Sequence, residues 1–290
     1  MSKKIYTVNG TFPGNKLRGK DRYKRLYHYT SFDTFVKIWL TKQLRFGAIN
    51  SMNDIQEAVF TSTSSNMQQL PLLHAYNDVR TSFKQISLTM DYDTYLMGCM
   101  SPMMWGHYAD KRKGVCIELD YDKIEFPKDC IKGIVRYKKV LKKSAEIPPT
   151  IKSINDLIKY IIKNKNDLFF TKQTSWKGEN EYRVISSNSA FLNIADAITA
   201  VYLTTNDSLE CLLVEKLIND QVPVQYLHYI NSDNMAIPVI SNTKKYREQY
   251  DANRTNPNNV LLKLHEQALS HYENLKDDLN ADLTKSEYSF

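Results

Sequence analysis

Hydrophobic and polar positions switch period several times along the chain, and each switch predicts an element. RLYHY, from Arg25, has an apolar and aromatic pattern that reads as a strand. Ser31 comes next as a helix cap, with Phe32, Phe35, Val36, Trp39 and Leu40 at helical spacing behind it. LRFGAI, from Leu44, reads as a second strand and NSMND as a loop, in which Asn53 or Asp54 caps the next element. Residues 55–89 read as mainly helical, with a polar break at TSTSSN.

MGCMS, Met97 to Ser101, reads as a short strand, and Pro102 suits the first turn of a helix through MMWGHYAD. Gly114 closes that unit. GVCIEL and IKGIVRYKKV read as strands, Pro148-Pro149 as a loop, and residues 152–171 as an amphipathic helix. The apolar face of that helix is Ile154, Leu157, Ile158, Ile161, Ile162 and Leu168. WKGENEYRVIS is a loop entering a strand, AITAVYL a strand and SLECLLVEKLI a helix, followed by the strands VPVQYLHYI and MAIPVI. A long polar-rich helix closes the chain. Strands and helices alternate without steady βαβ spacing, which predicts an α+β fold on a mixed or antiparallel sheet. The expected organisation is an arm over 1–20, one domain over 21–255 and a helical appendage over 256–290.

Composition adds little to this until charge is considered by position. The net charge of +7 is concentrated at the start: residues 1–45 hold 11 Lys and Arg against Asp21 and Asp33. A basic segment beside a site guides a polyanion such as RNA or DNA; the plainer reading is a solvated tail. Cys99, Cys116, Cys130 and Cys211 form no CxxC pair and no cluster with histidine. That argues against a disulfide framework or a zinc site. The first residues, MSKKIYTVNG, lack an apolar signal core, and no apolar run reaches membrane-spanning length. The expectation is a cytoplasmic protein without a membrane partner.

Three segments carry candidate chemistry, each at a strand end or strand–helix junction. In WKGENEYR, Glu179 and Glu181 are two residues apart, so on a strand both face one way, with Arg183 in the same parity. Paired carboxylates raise one pKa or divide the roles of base and electrostatic stabiliser, and Arg183 orients one of them by bidentate contact. The plainer reading is an exposed edge strand with surface ion pairs. In MMWGHYAD, Met104, His107 and Tyr108 share a helix face beside Trp105. These aromatics either stack on a planar ring or simply seal the helix to the sheet. In LYHYTS, His28 and Thr30 lie on one side of a strand. They are either a core histidine with its neighbour or a grip for a vicinal diol such as a ribose.

The ordered set LYHYTS, LRFGAINSMND, CMSPMMWGHYADKRKGVCIE and WKGENEYR resembles an uncharacterised family of bacterial domains related to the ADP-ribosyltransferase superfamily of the His–Tyr–Glu type. The resemblance spans roughly residues 25–205. Met100 departs from it, since an aromatic is expected before the serine. The resemblance implies a split sheet and an NAD site without a metal. It implies that His28 and Thr30, with Tyr29 beside them, hold the nicotinamide-side ribose. Tyr108 would stack on the nicotinamide, Trp105 would help shape that pocket, and Ser101 would hydrogen-bond near the cofactor. Glu181 would be the catalytic carboxylate, with Glu179 as the alternative, Arg183 orienting it, and Asn53 and Asp54 shaping a loop.

The implied activity is transfer of ADP-ribose from NAD to a macromolecule, nucleic acid before protein, as in a bacterial toxin or anti-phage effector restrained by an inhibitory partner. Two other readings stay open: an NAD glycohydrolase, and a binding module for nucleotide or nucleic acid without turnover. A hydrolytic site built from His28, His107 and the glutamates ranks below these.

Overall fold

A computed structural model describes residues 17–49, 70–94, 96–139, 151–204, 209–232 and 235–242. The first sixteen residues of the basic arm, Asn53, Asp54 and the C-terminal appendage lie outside the described residues. The chain divides into two compact units, Met1–Ile240 and Ser241–Phe290. The first unit carries the sheet and the helices that cover it.

A 3-10 turn, Gly19–Arg22, leads into β1 (Arg25–Thr30). Helix α1 (Phe32–Thr41) comes next, capped by the Ser31 hydroxyl, which accepts from the Thr34 N–H at 3.4 Å, and ended by Lys42 in the left-handed region. Phe35, Ile38 and Trp39 face the core, whereas Leu40 is exposed. LRFGAI forms two short strands, β2 (Gln43–Arg45) and β3 (Gly47–Ala48).

Helix α2 (Leu70–Ser82) bears out part of the helical expectation, but Lys84–Met90 is a strand, β4. Only Phe83 separates them. Within KQISLTM, Gln85, Ser87 and Thr89 alternate with Ile86, Leu88 and Met90, and a strand places these two sets on opposite faces. MGCMS is likewise not a strand: Gly98–Met100 is a 3-10 turn. Gly98 sits so close to the Tyr27 ring that a Cβ there would collide with it.

Helix α3 (Pro102–Tyr108) has Pro102 in its first turn, and the Ser101 hydroxyl caps it by accepting from the Met104 N–H at 3.4 Å. After a turn comes β5 (Val115–Asp120), buried on both faces through Glu118. Glu118 is tolerated there because Tyr202 and Thr199 donate to its carboxylate at 2.7 and 2.8 Å.

IKGIVRYKK splits into β6 (Ile131–Ile134) and β7 (Arg136–Lys138). Helices α4 (Ile154–Lys163) and α5 (Lys165–Leu168) bury Leu157, Ile161 and Leu168, while Ile154, Ile158 and Ile162 keep substantial exposure. The chain continues through β8 (Thr171–Gln173), the 3-10 turn Thr174–Glu179, β9 (Glu181–Ser186), β10 (Phe191–Asn193) and β11 (Ile198–Leu203). The last described elements are α6 (Leu209–Ile218), β12 (Val224–Ser232) and β13 (Met235–Asn242).

Among the described residues, nine strands form one sheet in the order β13–β12–β11–β5–β1–β4–β9–β6, with β3 on β4. β11 and β12 are parallel, whereas β5, β1, β4, β9 and their neighbours pair antiparallel. The fold is therefore α+β on a mixed sheet, as the element pattern predicts. Two two-stranded pairs, β10–β2 and β7–β8, complete it.

The middle of the large sheet departs from continuous pairing. β1 pairs with β5 over six residues, and β4 pairs with β9 over six. β1 and β4, by contrast, meet only at Leu26–Met90 and Tyr27–Thr89. Beyond Tyr27 the two strands part, and the sheet opens at its centre.

Three apolar clusters hold this arrangement. The first lies under α1 and α6 and includes Leu26, Phe35, Trp39, Ile117, Val184 and Val214. The Trp39 indole N–H ties α1 to the Leu217 carbonyl at 3.1 Å. The second joins Tyr76 of α2 to Leu157 and Ile161 of α4, with Phe83, Phe169 and Ile185. The third packs α3 onto the sheet through Tyr27, Tyr29, Cys99, Trp105, Cys116 and Tyr202. Each fully buried side chain of this size contributes about 1.5–3 kcal/mol.

Candidate functional site

The opening between β1 and β4 holds a cavity of about 330 Å³. This falls in the size range of small-molecule and cofactor sites. Its walls bring together Tyr27, His28 and Tyr29 from β1 and Gln85 to Thr89 from β4. Met104 and Tyr108 come from α3, Lys172 from β8, Glu179 and Glu181 from either end of the turn into β9, and Arg45 and Gly47 from β2 and β3.

The carboxylates converge for a local reason. Glu179 ends a 3-10 turn, Glu181 begins a strand, and Asn180 between them takes a left-handed conformation at φ 46°. Asparagine tolerates that region better than most residues. Its amide donates to the Met90 and Asp91 carbonyls at 3.0 and 2.9 Å, and its own carbonyl accepts from the Met90 N–H at 2.9 Å. This pins the turn to the end of β4. The two glutamates therefore do not lie on one continuous strand, yet both reach the same lysine.

Lys172 donates to Glu179 at 2.6 Å and stands 3.6 Å from Glu181, with all three side chains buried. Arg183 grips Glu181 with two hydrogen bonds, 2.6 and 2.9 Å, and donates also to the Phe169 carbonyl at 2.8 Å. Tyr108 donates its hydroxyl to the other side of Glu179 at 2.5 Å. The exposed edge strand with surface ion pairs is thus excluded: this is a buried network.

Its electrostatics separate the two acids. Burial alone would raise Glu181, but the Arg183 charge and hydrogen bonds, with Lys172, reverse this and hold it at about 2. Glu179 moves the other way. Burial and the Glu181 charge push it above the usual carboxylate range, against the pull of Lys172 and Tyr108. Glu181 is a fixed anion and Glu179 a titratable one.

His28 sits deep but keeps part of its surface open to the cavity. Burial lowers its imidazole to about 4, against a hydrogen bond from the ring to the Ser87 main chain. The ring thus spans the gap where β1 and β4 have parted, and it is neutral at pH 7. Its Nδ1 is buried with no hydrogen-bond partner. A buried polar atom left unmatched beside a cavity suits a ligand that supplies a hydroxyl.

Not every expected residue reaches the cavity wall. Trp105 is buried behind it, donating to the Cys99 carbonyl at 2.7 Å and packing edge-on against Tyr29 at 5.3 Å between centroids. It seals α3 to the sheet, the plainer of its two readings. Ser101 is a helix cap, Thr30 is buried off the lining, and Arg183 acts through Glu181. Tyr29 lines the cavity, and its hydroxyl donates to the Gly98 carbonyl at 2.6 Å. His107 is exposed and off the lining, so the two histidines are not brought together. Tyr108 meets Glu179 through its hydroxyl, a contact the expected ring stacking did not include.

Lys172 and Arg45 carry no motif that singles them out in the sequence. A lysine in a three-residue strand resembles a solvated surface residue, and its only signal is the burial of the FFTK stretch around it. Among the described residues, no three His, Cys, Asp or Glu side chains are arranged to hold a metal, and no helix is long and apolar enough to cross a membrane.

Residues 104–184 match the model of a family described as a protein of unknown function, DUF2971. The matched stretch contains Tyr108, Lys172, Glu179, Glu181 and Arg183 but not His28 or Arg45. That description carries no link to ADP-ribosyltransferases. No curated protein matches the chain.

Proposed function

We propose that the cavity between β1 and β4 binds NAD and that the chain transfers ADP-ribose to a macromolecule, with nucleic acid favoured over protein. The observation that carries this reading is the convergence of His28, Tyr108, Glu179 and Glu181 on one cavity at the point where the sheet opens. The parting of β1 from β4 also supports the split sheet that the resemblance implies.

Breaking a nicotinamide–ribose bond develops positive charge on the sugar carbon, and NAD supplies the leaving group. Glu181, ionised and fixed by Arg183, stabilises that charge without reorganising. His28, neutral and with its buried Nδ1 otherwise unmatched, accepts from a ribose hydroxyl and fixes the sugar's position. Glu179, with its raised pKa, takes the proton of an incoming hydroxyl or amine acceptor. Tyr108 and Lys172 hold Glu179 in place for that step. The roles of stabiliser and base thus fall on different glutamates, as their surroundings require.

The test uses NAD labelled in its adenosine half, incubated with purified protein and total RNA or protein extract. Label retained on RNA supports the proposed acceptor class. Label only in free ADP-ribose assigns a glycohydrolase instead. Absence of nicotinamide in every condition refutes turnover.

A further inference from the structure

The two ends of the cavity differ: one is a buried, ion-paired cluster and the other carries an exposed arginine. At one end stand Glu179, Glu181 and Lys172, level with Thr89, which is paired with Glu181. At the other end, Gln85 is paired with Gly47, and Arg45 lies two residues before that glycine. Four residues of β4 separate the two levels, about 13 Å at a rise of about 3.3 Å each. Along β4 between them, Gln85, Ser87 and Thr89 share one face, and the Gln85 amide donates to the Ser87 hydroxyl at 3.3 Å.

Arg45 differs from the other cations of the cavity. Lys172 is spent on the carboxylates. Arg45 is solvent-exposed, lines the cavity and, among the described residues, makes no ion pair or hydrogen bond with its side chain. It is carried by β2, whose pairing with β10 through Arg45 and Phe191 fixes its backbone. A guanidinium anchored in this way and facing a cavity is a ready bidentate partner for a phosphate.

We infer that Arg45 anchors a phosphate of the ligand, so that a sugar-phosphate lies along β4 with its phosphate at Arg45 and its sugar at the His28 and Glu179 end. This deepens the NAD reading and rests on it for the identity of the sugar end. The ligand class is a nucleoside diphosphate sugar.

Calorimetric titration of the full chain tests this with two probes, ADP-ribose, which carries the pyrophosphate, and nicotinamide riboside, which carries none. Wild-type protein binds ADP-ribose, and Arg45→Ala weakens it at least tenfold. Arg45→Lys, which keeps the charge but not the fork, recovers part of the loss. Binding of nicotinamide riboside is the same in all three. Thermal melting checks that the variants remain folded, which the exposed position of Arg45 favours. ADP-ribose affinity unchanged by Arg45→Ala overturns the inference, as does an equal loss for both probes or failure of wild-type protein to bind ADP-ribose. The two readings fail separately. NAD turnover that ignores Arg45→Ala sinks the anchor alone, and Arg45-dependent ADP-ribose binding without nicotinamide release sinks only the transferase.

Discussion

Replacing Lys172 by methionine leaves two buried carboxylates sharing a single arginine. Arg183 is bound bidentately to Glu181, so the loss falls on Glu179, which keeps only the Tyr108 hydroxyl. Breaking a buried ion pair by removing one partner costs about 3–5 kcal/mol, because an uncompensated charge remains. Here the protein has a way to relieve it. Glu179 already titrates above the ordinary glutamate value of 4.5, and loss of the ammonium moves it further up. A carboxyl whose folded pKa is raised makes the folded state bind the extra proton, so the penalty shrinks as pH falls toward the unfolded pKa and grows as pH rises.

We therefore expect Lys172→Met to cost about 3 kcal/mol at pH 8 and clearly less at pH 5. Urea unfolding followed by tryptophan fluorescence at both pH values, on wild type, Lys172→Met, Glu179→Gln and the double variant, measures the penalty and the coupling. Glu179→Gln removes the stranded charge, so it rescues Lys172→Met at pH 8. A pH-independent penalty below about 1 kcal/mol, with additive single effects, refutes the claim that Lys172 serves the carboxylates.

Two further predictions concern single residues. The His28 imidazole falls from 6.5 to about 4 on folding, so the unfolded chain binds the proton first and stability drops as pH goes from about 6.5 to about 4. The contribution is at most about 3.4 kcal/mol at about 1.36 kcal/mol per pKa unit, and His28→Gln flattens that part of the stability–pH curve in urea titrations. Trp105→Phe removes the hydrogen bond to the Cys99 carbonyl and part of the packing on Tyr29, and lowers stability by about 2 kcal/mol. Because Trp105 lies off the cavity wall, ADP-ribose affinity measured by calorimetry on the folded fraction stays within twofold.

Much of the scaffold was legible from local pattern. The Ser31 and Ser101 caps, Pro102 in its first turn and the apolar run of β5 are signals that neighbours in sequence supply by themselves. β4 was not legible, although its polar–apolar alternation is present, because α2 runs to within one residue of it and the helical period masks the change. Glu179 and Glu181 do converge, but not along a continuous strand: a left-handed Asn180 turns both acids toward one lysine. Lys172 and Arg45 were not singled out because their places on the cavity wall depend on pairings between strands far apart in the chain. The aromatic segment around His28 gave two readings of equal standing. What the sequence does not show is the parting of β1 from β4, a tertiary feature that opens a cavity beside the ring.

The most direct test of the account is nicotinamide release from NAD by the purified full-length chain, compared with Glu181→Gln and Glu179→Gln. The account predicts release by wild type, a loss of at least about a hundredfold in Glu181→Gln, from removal of a fixed charge worth about 3 kcal/mol in the transition state, and a smaller loss in Glu179→Gln that is greatest when the acceptor is present. Release by wild type that survives Glu181→Gln, or no release in the presence of RNA and protein acceptors, contradicts it.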